Sequence, residues 1–267
     1  MAERSGNIMP LREIYGAASM NNDECSYLWV ESAAQFIPRL NELVTRVSDE
    51  FTIIEDMKPF KNEDEDVLGK LLEHHLSDKS TTHNYYVFYS YILNRLGKDK
   101  ELDILEIGLG TNNPNLVSSM GEYGRPGASV YAFRDYLPNA NIYGADVDRN
   151  ILFETDRIKT AYVDQMNPST FSKMIEDLGN SKYDVIIDDG LHSTIANFNT
   201  LLFGLEHIKN DGWFIVEDIG ESMVDNWRSI DFIMKRMSGY KTFMIKTTGG
   251  YYHKNISYMY VVHKDKE

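Results

Sequence analysis

Asp103-Ile-Leu-Glu-Ile-Gly-Leu-Gly110 joins a short apolar run to one acidic residue and two glycines. The run reads as a buried strand, and glycines directly after a strand belong where backbone must come close to a ligand. A second such run, Ile142-Tyr-Gly-Ala-Asp146, ends in a carboxylate at the place where doubly wound sheets bind ribose hydroxyls. Later runs end at Asp164-Gln165, at Asp188-Asp189 and at Glu217-Asp218. Polar residues at the carboxyl ends of successive parallel strands face one crevice, where open α/β sheets bind their ligands.

Outward from that motif, short apolar runs at 102–107, 141–147, 159–163, 183–188 and 212–216 alternate with segments of helical length at 128–137, 168–178, 194–209 and 227–237. This is a βαβ rhythm and predicts an α/β fold with a parallel sheet, Pro168 standing in a first helical turn. Strand-like runs at 241–246 and 256–263 predict a closing antiparallel hairpin. Before the motif, the amphipathic stretch 32–57 predicts helix. The acidic group Glu55, Asp56, Glu63, Asp64, Glu65 and Asp66 predicts a solvated linker without chemistry. Asp78-Lys-Ser-Thr-Thr-His-Asn-Tyr-Tyr86 then leads into Tyr85, Phe88, Tyr89 and Ile92, whose spacing predicts a core-facing helix. The chain thus divides into a helical region, 1–98, serving as a lid or oligomer contact, and an α/β domain, 99–267.

A chain of 267 residues with 42% hydrophobic content can bury one large core plus an appendage. Its net charge of −14, without a Lys or Arg run, repels a phosphate backbone, so no nucleic acid partner is expected. No apolar run approaches the roughly 20 residues that span a bilayer, so no membrane association is expected. The single Cys25 excludes an internal disulfide, and a cytoplasmic setting is expected.

A nicotinamide dinucleotide enzyme shares the strand, glycine turn and later acid. Its site needs G-x-G-x-x-G, however, so that pyrophosphate meets a helix N-terminus, whereas Thr-Asn-Asn-Pro-Asn follows Gly110. The next helix is expected near 127–129, which leaves 111–126 as a long polar loop expected to cover cofactor or substrate.

Asp189, Glu217 and Asp218, at neighbouring strand ends, offer three carboxylates to one point, a hard-oxygen set suited to Mg²⁺. His192 lies just past Asp189 in the turn before a helix, where a neutral imidazole serves as a general base. Taken singly, each of these groups has a plain alternative as a helix cap or solvated surface residue. A 2-His-1-carboxylate iron site is not evident. His74, His75 and His207 have no partner in the sequence, His253 falls in the hairpin, and His83, though it could reach a cofactor, is not taken as a site residue.

These residues resemble the class I S-adenosylmethionine-dependent methyltransferases, with Glu106-Ile-Gly-Leu-Gly110 as first motif and Asp146 as ribose carboxylate. The resemblance covers about two thirds of the chain and implies a Rossmann-like sheet of seven strands with the last antiparallel. It places Glu106, Gly108, Gly110, Asp146, Asp164, Gln165 and Asp188 around S-adenosylmethionine, Asp164 and Gln165 near the adenine. The long loop departs from the short glycine loop of that class, and Ser129 is the candidate at the methionine end. Asp189, His192, Glu217 and Asp218 match one by one the D-x-x-H motif and Glu-Asp pair of the metal-dependent sugar O-methyltransferases of macrolide antibiotic biosynthesis, the mycinamicin type. That resemblance implies Mg²⁺, a sugar or glycoconjugate acceptor and His192 as base. Residues 1–70 show no such match, so a phosphoryl or phenolic acceptor, or a non-catalytic cofactor-binding module, stays open, as does a homo-oligomer.

Overall fold

The computed structural model describes residues 22–47, 50–253 and 256–266, with side chains described from residue 35 onward. Its strands are β1 (Ile53–Ile54), β2 (Asp103–Ile107), β3 (Asn141–Asp146), β4 (Glu154–Thr155), β5 (Ile158–Tyr162), β6 (Tyr183–Asp188), β7 (Ile208–Ile219), β8 (Tyr240–Lys246) and β9 (Tyr258–Lys264). They form one nine-stranded sheet in the order β1-β8-β9-β7-β6-β2-β3-β5-β4. Five strands, β5-β3-β2-β6-β7, run parallel, and β9 inserts antiparallel to both β7 and β8. The seven expected strands are all present, and the last is antiparallel. The two additional strands, β1 and β4, are two-residue edge pairings.

The helices are α1 (Asn22–Val47), α2 (Glu65–His74), α3 (Asp78–Thr81), α4 (Tyr85–Leu96), α5 (Ala128–Tyr136), α6 (Ser169–Leu178), α7 (Thr194–His207) and α8 (Val224–Met234). Both faces of the parallel strands are covered, and their sequences are accordingly apolar throughout. Ile104, Val185, Ile187 and Ile215 face one core, shared with Leu72, Phe88 and Ile92 of α2 and α4. Leu105, Ile107, Ile186 and Val216 face the other, with Met174 of α6 and Leu201 of α7. The period of two places Glu106 and Glu217 on the α4 side of the sheet, in line with Ile104 and Ile215. The crevice lies where β2 is flanked by β3 on one side and β6 on the other.

Three expectations change in the amino-terminal part. The helix expected over 32–57 ends at Val47, because Ile53 and Ile54 pair with Met244 and Ile245 on the sheet edge. The acidic stretch is not a linker throughout: Glu65 and Asp66 open α2, where the helix dipole favours negative charge, and Asp64 holds Lys98 at 2.6 Å. His75 does have a partner, its Nε2 lying 2.7 Å from Asp135 Oδ2. Among the described residues no helix is long and apolar enough to cross a membrane.

Candidate active site

The turn after β2 is built for close approach. Gly108 has φ +101°, and a Cβ there would lie 2.0 Å from the carbonyl oxygen of Asp189. Asp146 braces the turn from β3: one carboxylate oxygen accepts from Leu109 N–H at 2.8 Å and the other from Asp148 N–H at 2.8 Å. Burial pushes the Asp146 carboxyl up, opposed by these backbone donors. The Thr111 hydroxyl donates to Asp148 at 2.5 Å, and Met120 N–H donates to Thr111 C=O at 2.8 Å, folding 111–126 back over the glycines.

Beneath that loop is a cavity of about 470 Å³. Gly108, Gly110, Ser129, Asp146, Asp164 and Gln165 line it, and Asp189, His192 and Asp218 line it further along. Leu116, Val117 and Met120 of the long loop also face it, as expected of a cover. Three expected site residues are not in the wall. Asp188 lies beneath it, fully buried, accepting from the side-chain amides of Gln165 at 2.7 Å and Asn197 at 3.0 Å. Glu106 and Glu217 are also buried, and both face Lys79.

Lys79 is the residue that sequence reasoning missed. It is 1% exposed, yet its ammonium lies 2.6 Å from Asp189 Oδ2, 2.6 Å from Glu217 Oε2 and 3.1 Å from Glu106 Oε1. Burial alone would push this ammonium down; attraction to Asp189, Glu217 and Glu106 outweighs it and holds the group well above the usual lysine range. Burial pushes the Glu217 carboxyl up to about 8, Lys79 pulling it down and Asp218 and Glu106 adding like charge. The remaining oxygen of Glu217 accepts from the Tyr89 hydroxyl, while that of Glu106 accepts from Ser129 at 2.5 Å. Ser129 is thus tied to β2 as well as facing the cavity.

A second group stands on the other side of Asp189. Asp189, His192 and Asp218 each present a ligand atom, all within 4.8 Å of one another. His192 Nε2 is 3.9 Å from Asp189 Oδ1 and 3.9 Å from Asp218 Oδ2. Both His192 and Asp218 have φ of 54°, a left-handed backbone uncommon outside glycine. Behind Asp218, the Tyr85 hydroxyl donates to Oδ1 at 2.6 Å and His83 Nε2 lies 3.5 Å away. His83 stacks on Tyr85 and is not in the cavity wall. Two carboxylate oxygens and an imidazole opening on one cavity fit a small divalent cation, which leaves the rest of its shell to water or substrate oxygens. Glu217 is expected in that group from sequence, but its oxygens face Lys79 and Tyr89 instead.

Strand order 3-2-1-4-5-7-6, counted over the seven core strands, with a glycine turn and the buried Asp146 carboxylate at the switch point, is that of the class I methyltransferase fold. The chain is similar to the solved MycE methyltransferase of the mycinamycin pathway, in complex with Mg and SAH, at TM-score 0.55 and 20% identity over 74% of this chain and 55% of that one. Among curated proteins it is 28% identical over 156 residues to an 8-demethyl-8-(2-methoxy-alpha-L-rhamnosyl)-tetracenomycin-C 3'-O-methyltransferase of Streptomyces olivaceus, covering 57% of this chain and 36% of the relative. It is 27% identical over 124 residues to the mycinamicin VI 2''-O-methyltransferase of Micromonospora griseorubida, covering 46% and 28%. The matched part is therefore about a third of the length of these curated relatives. No family model matches.

Proposed function

We propose that this chain is an S-adenosylmethionine-dependent, Mg²⁺-dependent O-methyltransferase acting on a hydroxyl of a sugar or glycoconjugate. One observation carries the reading: a single cavity runs from the glycine turn and Asp146 to Asp189, His192 and Asp218. A methyl donor bound along the strand ends therefore points its reactive end at a polar group able to hold and deprotonate an acceptor. The sugar class is supported by the similarity to the rhamnosyl and mycinamicin methyltransferases.

In this reading Asp146 receives the ribose hydroxyls, Asp164 and Gln165 border the adenine, and Gly108 and Gly110 let the backbone approach the methionine portion. Ser129 braces that end through Glu106. Asp189 and Asp218 hold Mg²⁺, which when bound supplies Lewis acidity that lowers the pKa of an acceptor hydroxyl. His192, whose side chain is 37% exposed, accepts the hydroxyl proton as the acceptor oxygen takes the methyl group and S-adenosylhomocysteine remains. The roof from 111–126 keeps water from the donor.

The test is calorimetric titration with S-adenosylmethionine, with Mg²⁺ and after chelation, followed by radiolabelled methyl transfer to a panel of glycosides. Binding of the donor, no binding of NAD, and transfer that stops on chelation are expected. No donor binding would overturn the methyltransferase reading, and metal-dependent transfer only to phenols or phosphoryl groups would overturn the sugar class.

A further inference from the structure

The long loop 111–126 meets α5 at Arg125-Pro-Gly-Ala128, a sequence that dictates its own shape. Proline at the second place and glycine at the third suit a type II turn, and Gly127 has φ 75° and ψ 13°. Ala128 N–H donates to Arg125 C=O at 3.1 Å and closes the turn, while Gly127 N–H donates to Leu109 C=O at 2.8 Å. Arg125 is thereby held beside the glycine turn at the start of α5, and it lines the cavity together with Ala128 and Ser129. Its guanidinium lies 5.8 Å from the centre of the Tyr131 ring. Among the described residues no carboxylate pairs with it.

The rest of the wall is acidic. Asp78, Asp146, Asp164, Asp189 and Asp218 line the same cavity, and its lysine, Lys79, is already taken up by Glu106, Asp189 and Glu217, all within 3.1 Å. S-adenosylmethionine carries a sulfonium, an ammonium and a carboxylate. The two cations suit such a wall, whereas the carboxylate is repelled by it unless a positive group stands ready. We propose that Arg125 is a specificity-determining residue for the methyl donor, its guanidinium receiving the carboxylate of the methionine portion. The planar fork of an arginine offers paired N–H donors that match the two oxygens of a carboxylate. The place agrees with a methionine portion lying along Gly108, Gly110 and Ser129, which line the cavity with Arg125. Arg125 belongs to the long loop that stands here instead of a short glycine loop, so the contact is a property of this chain's own loop. Without it the acidic wall would favour a donor that lacks the carboxylate and keeps both positive charges.

The proposal rests on the donor reading above, and its test separates the two. Calorimetry on the full chain compares S-adenosylmethionine with decarboxylated S-adenosylmethionine, each titrated into wild type, Arg125→Ala and Arg125→Lys. Arg125 is exposed and closes its turn through the backbone, so both variants are expected to fold. Wild type is expected to bind S-adenosylmethionine at least as tightly as the decarboxylated compound. Arg125→Ala is expected to lose roughly tenfold or more in affinity for S-adenosylmethionine and about twofold or less for the decarboxylated compound, which reverses the preference. Arg125→Lys keeps the charge without the fork and is expected to fall between. An equal loss for both compounds in Arg125→Ala would mean that the residue only shapes the loop, and it overturns the proposal, as does an unchanged affinity for S-adenosylmethionine. A wild type that binds neither compound overturns the donor reading and this proposal together.

Discussion

His192 and Asp218 both sit at φ 54°, and both line the cavity. A non-glycine residue in that region costs on the order of 1–3 kcal/mol, and it persists where surrounding contacts over-determine it. Here those contacts include the Tyr85 hydroxyl on Asp218 and Ser193, which caps α7 immediately after His192. Asn tolerates the left-handed backbone, so His192→Asn separates chemistry from strain. Its stability to urea is expected within about 0.5 kcal/mol of wild type, while kcat falls on the order of a hundredfold with donor affinity retained. Turnover equal to wild type would remove His192 as the proton acceptor. The meeting of Asp189, His192 and Asp218 at one cavity was legible in sequence because Asp189 and Asp218 fall at the carboxyl ends of recognisable strands and His192 in the turn after Asp189. Lys79 was not, lying 110 residues from Asp189 and 138 from Glu217 within a polar stretch that reads as exposed. The one available signal was electrostatic: carboxylates crowded at neighbouring strand ends require a buried counter-charge.

Helix α4 shows why an aromatic stripe is only half readable. Tyr85, Phe88, Tyr89 and Ile92 are all buried, as their spacing predicts. Tyr85 and Tyr89 are one turn apart, however, and carry their hydroxyls to Asp218 and Glu217. Periodicity reports the apolar body of a tyrosine and is silent about its polar tip. Long periodic segments were otherwise placed to within a few residues, α5 beginning at Ala128 and α6 ending at Leu178. The amino-terminal boundary was not legible, since β1 exists only through its pairing with β8, a contact that no local pattern announces. The turn between β2 and the long loop carries the sharpest element-scale prediction. Gly108→Ala combines φ +101° with a Cβ placed 2.0 Å from the Asp189 carbonyl, so β2 and β6 must part at their tips. A loss of about 3 kcal/mol in denaturant midpoint analysis is expected, together with loss of donor binding. A variant that keeps both would mean that the turn relaxes without disturbing the cavity.

At the scale of the molecule, the boundary drawn at residue 98 crosses a continuous core. Met57, Phe60, Leu68, Leu72, Phe88 and Ile92 pack with Ile104, Val185 and Ile215, covering one face of the sheet. Helix α1 is attached differently, through the polar contacts of Asn41 with Asn226 and Ser229 on α8. A fragment of residues 99–267 would expose the α4 side of the parallel strands and is expected not to unfold cooperatively. Because Leu76 to Lys79 and the strand ends wall the same cavity, a ligand bound there should stabilise both parts at once. Binding only to the folded state adds about 2.7 kcal/mol at a hundredfold excess over Kd. For a chain of this size each kcal/mol moves Tm by about 2–4 °C, so saturating S-adenosylmethionine should raise Tm of the full chain by about 5–10 °C, in one transition. Differential scanning calorimetry with the donor, with NAD and with neither makes the comparison. A shift with NAD equal to that with the donor would overturn the methyltransferase reading, and a donor shift confined to one of two transitions would show that the cavity does not join the segment before residue 98 to the sheet in the way the packing requires.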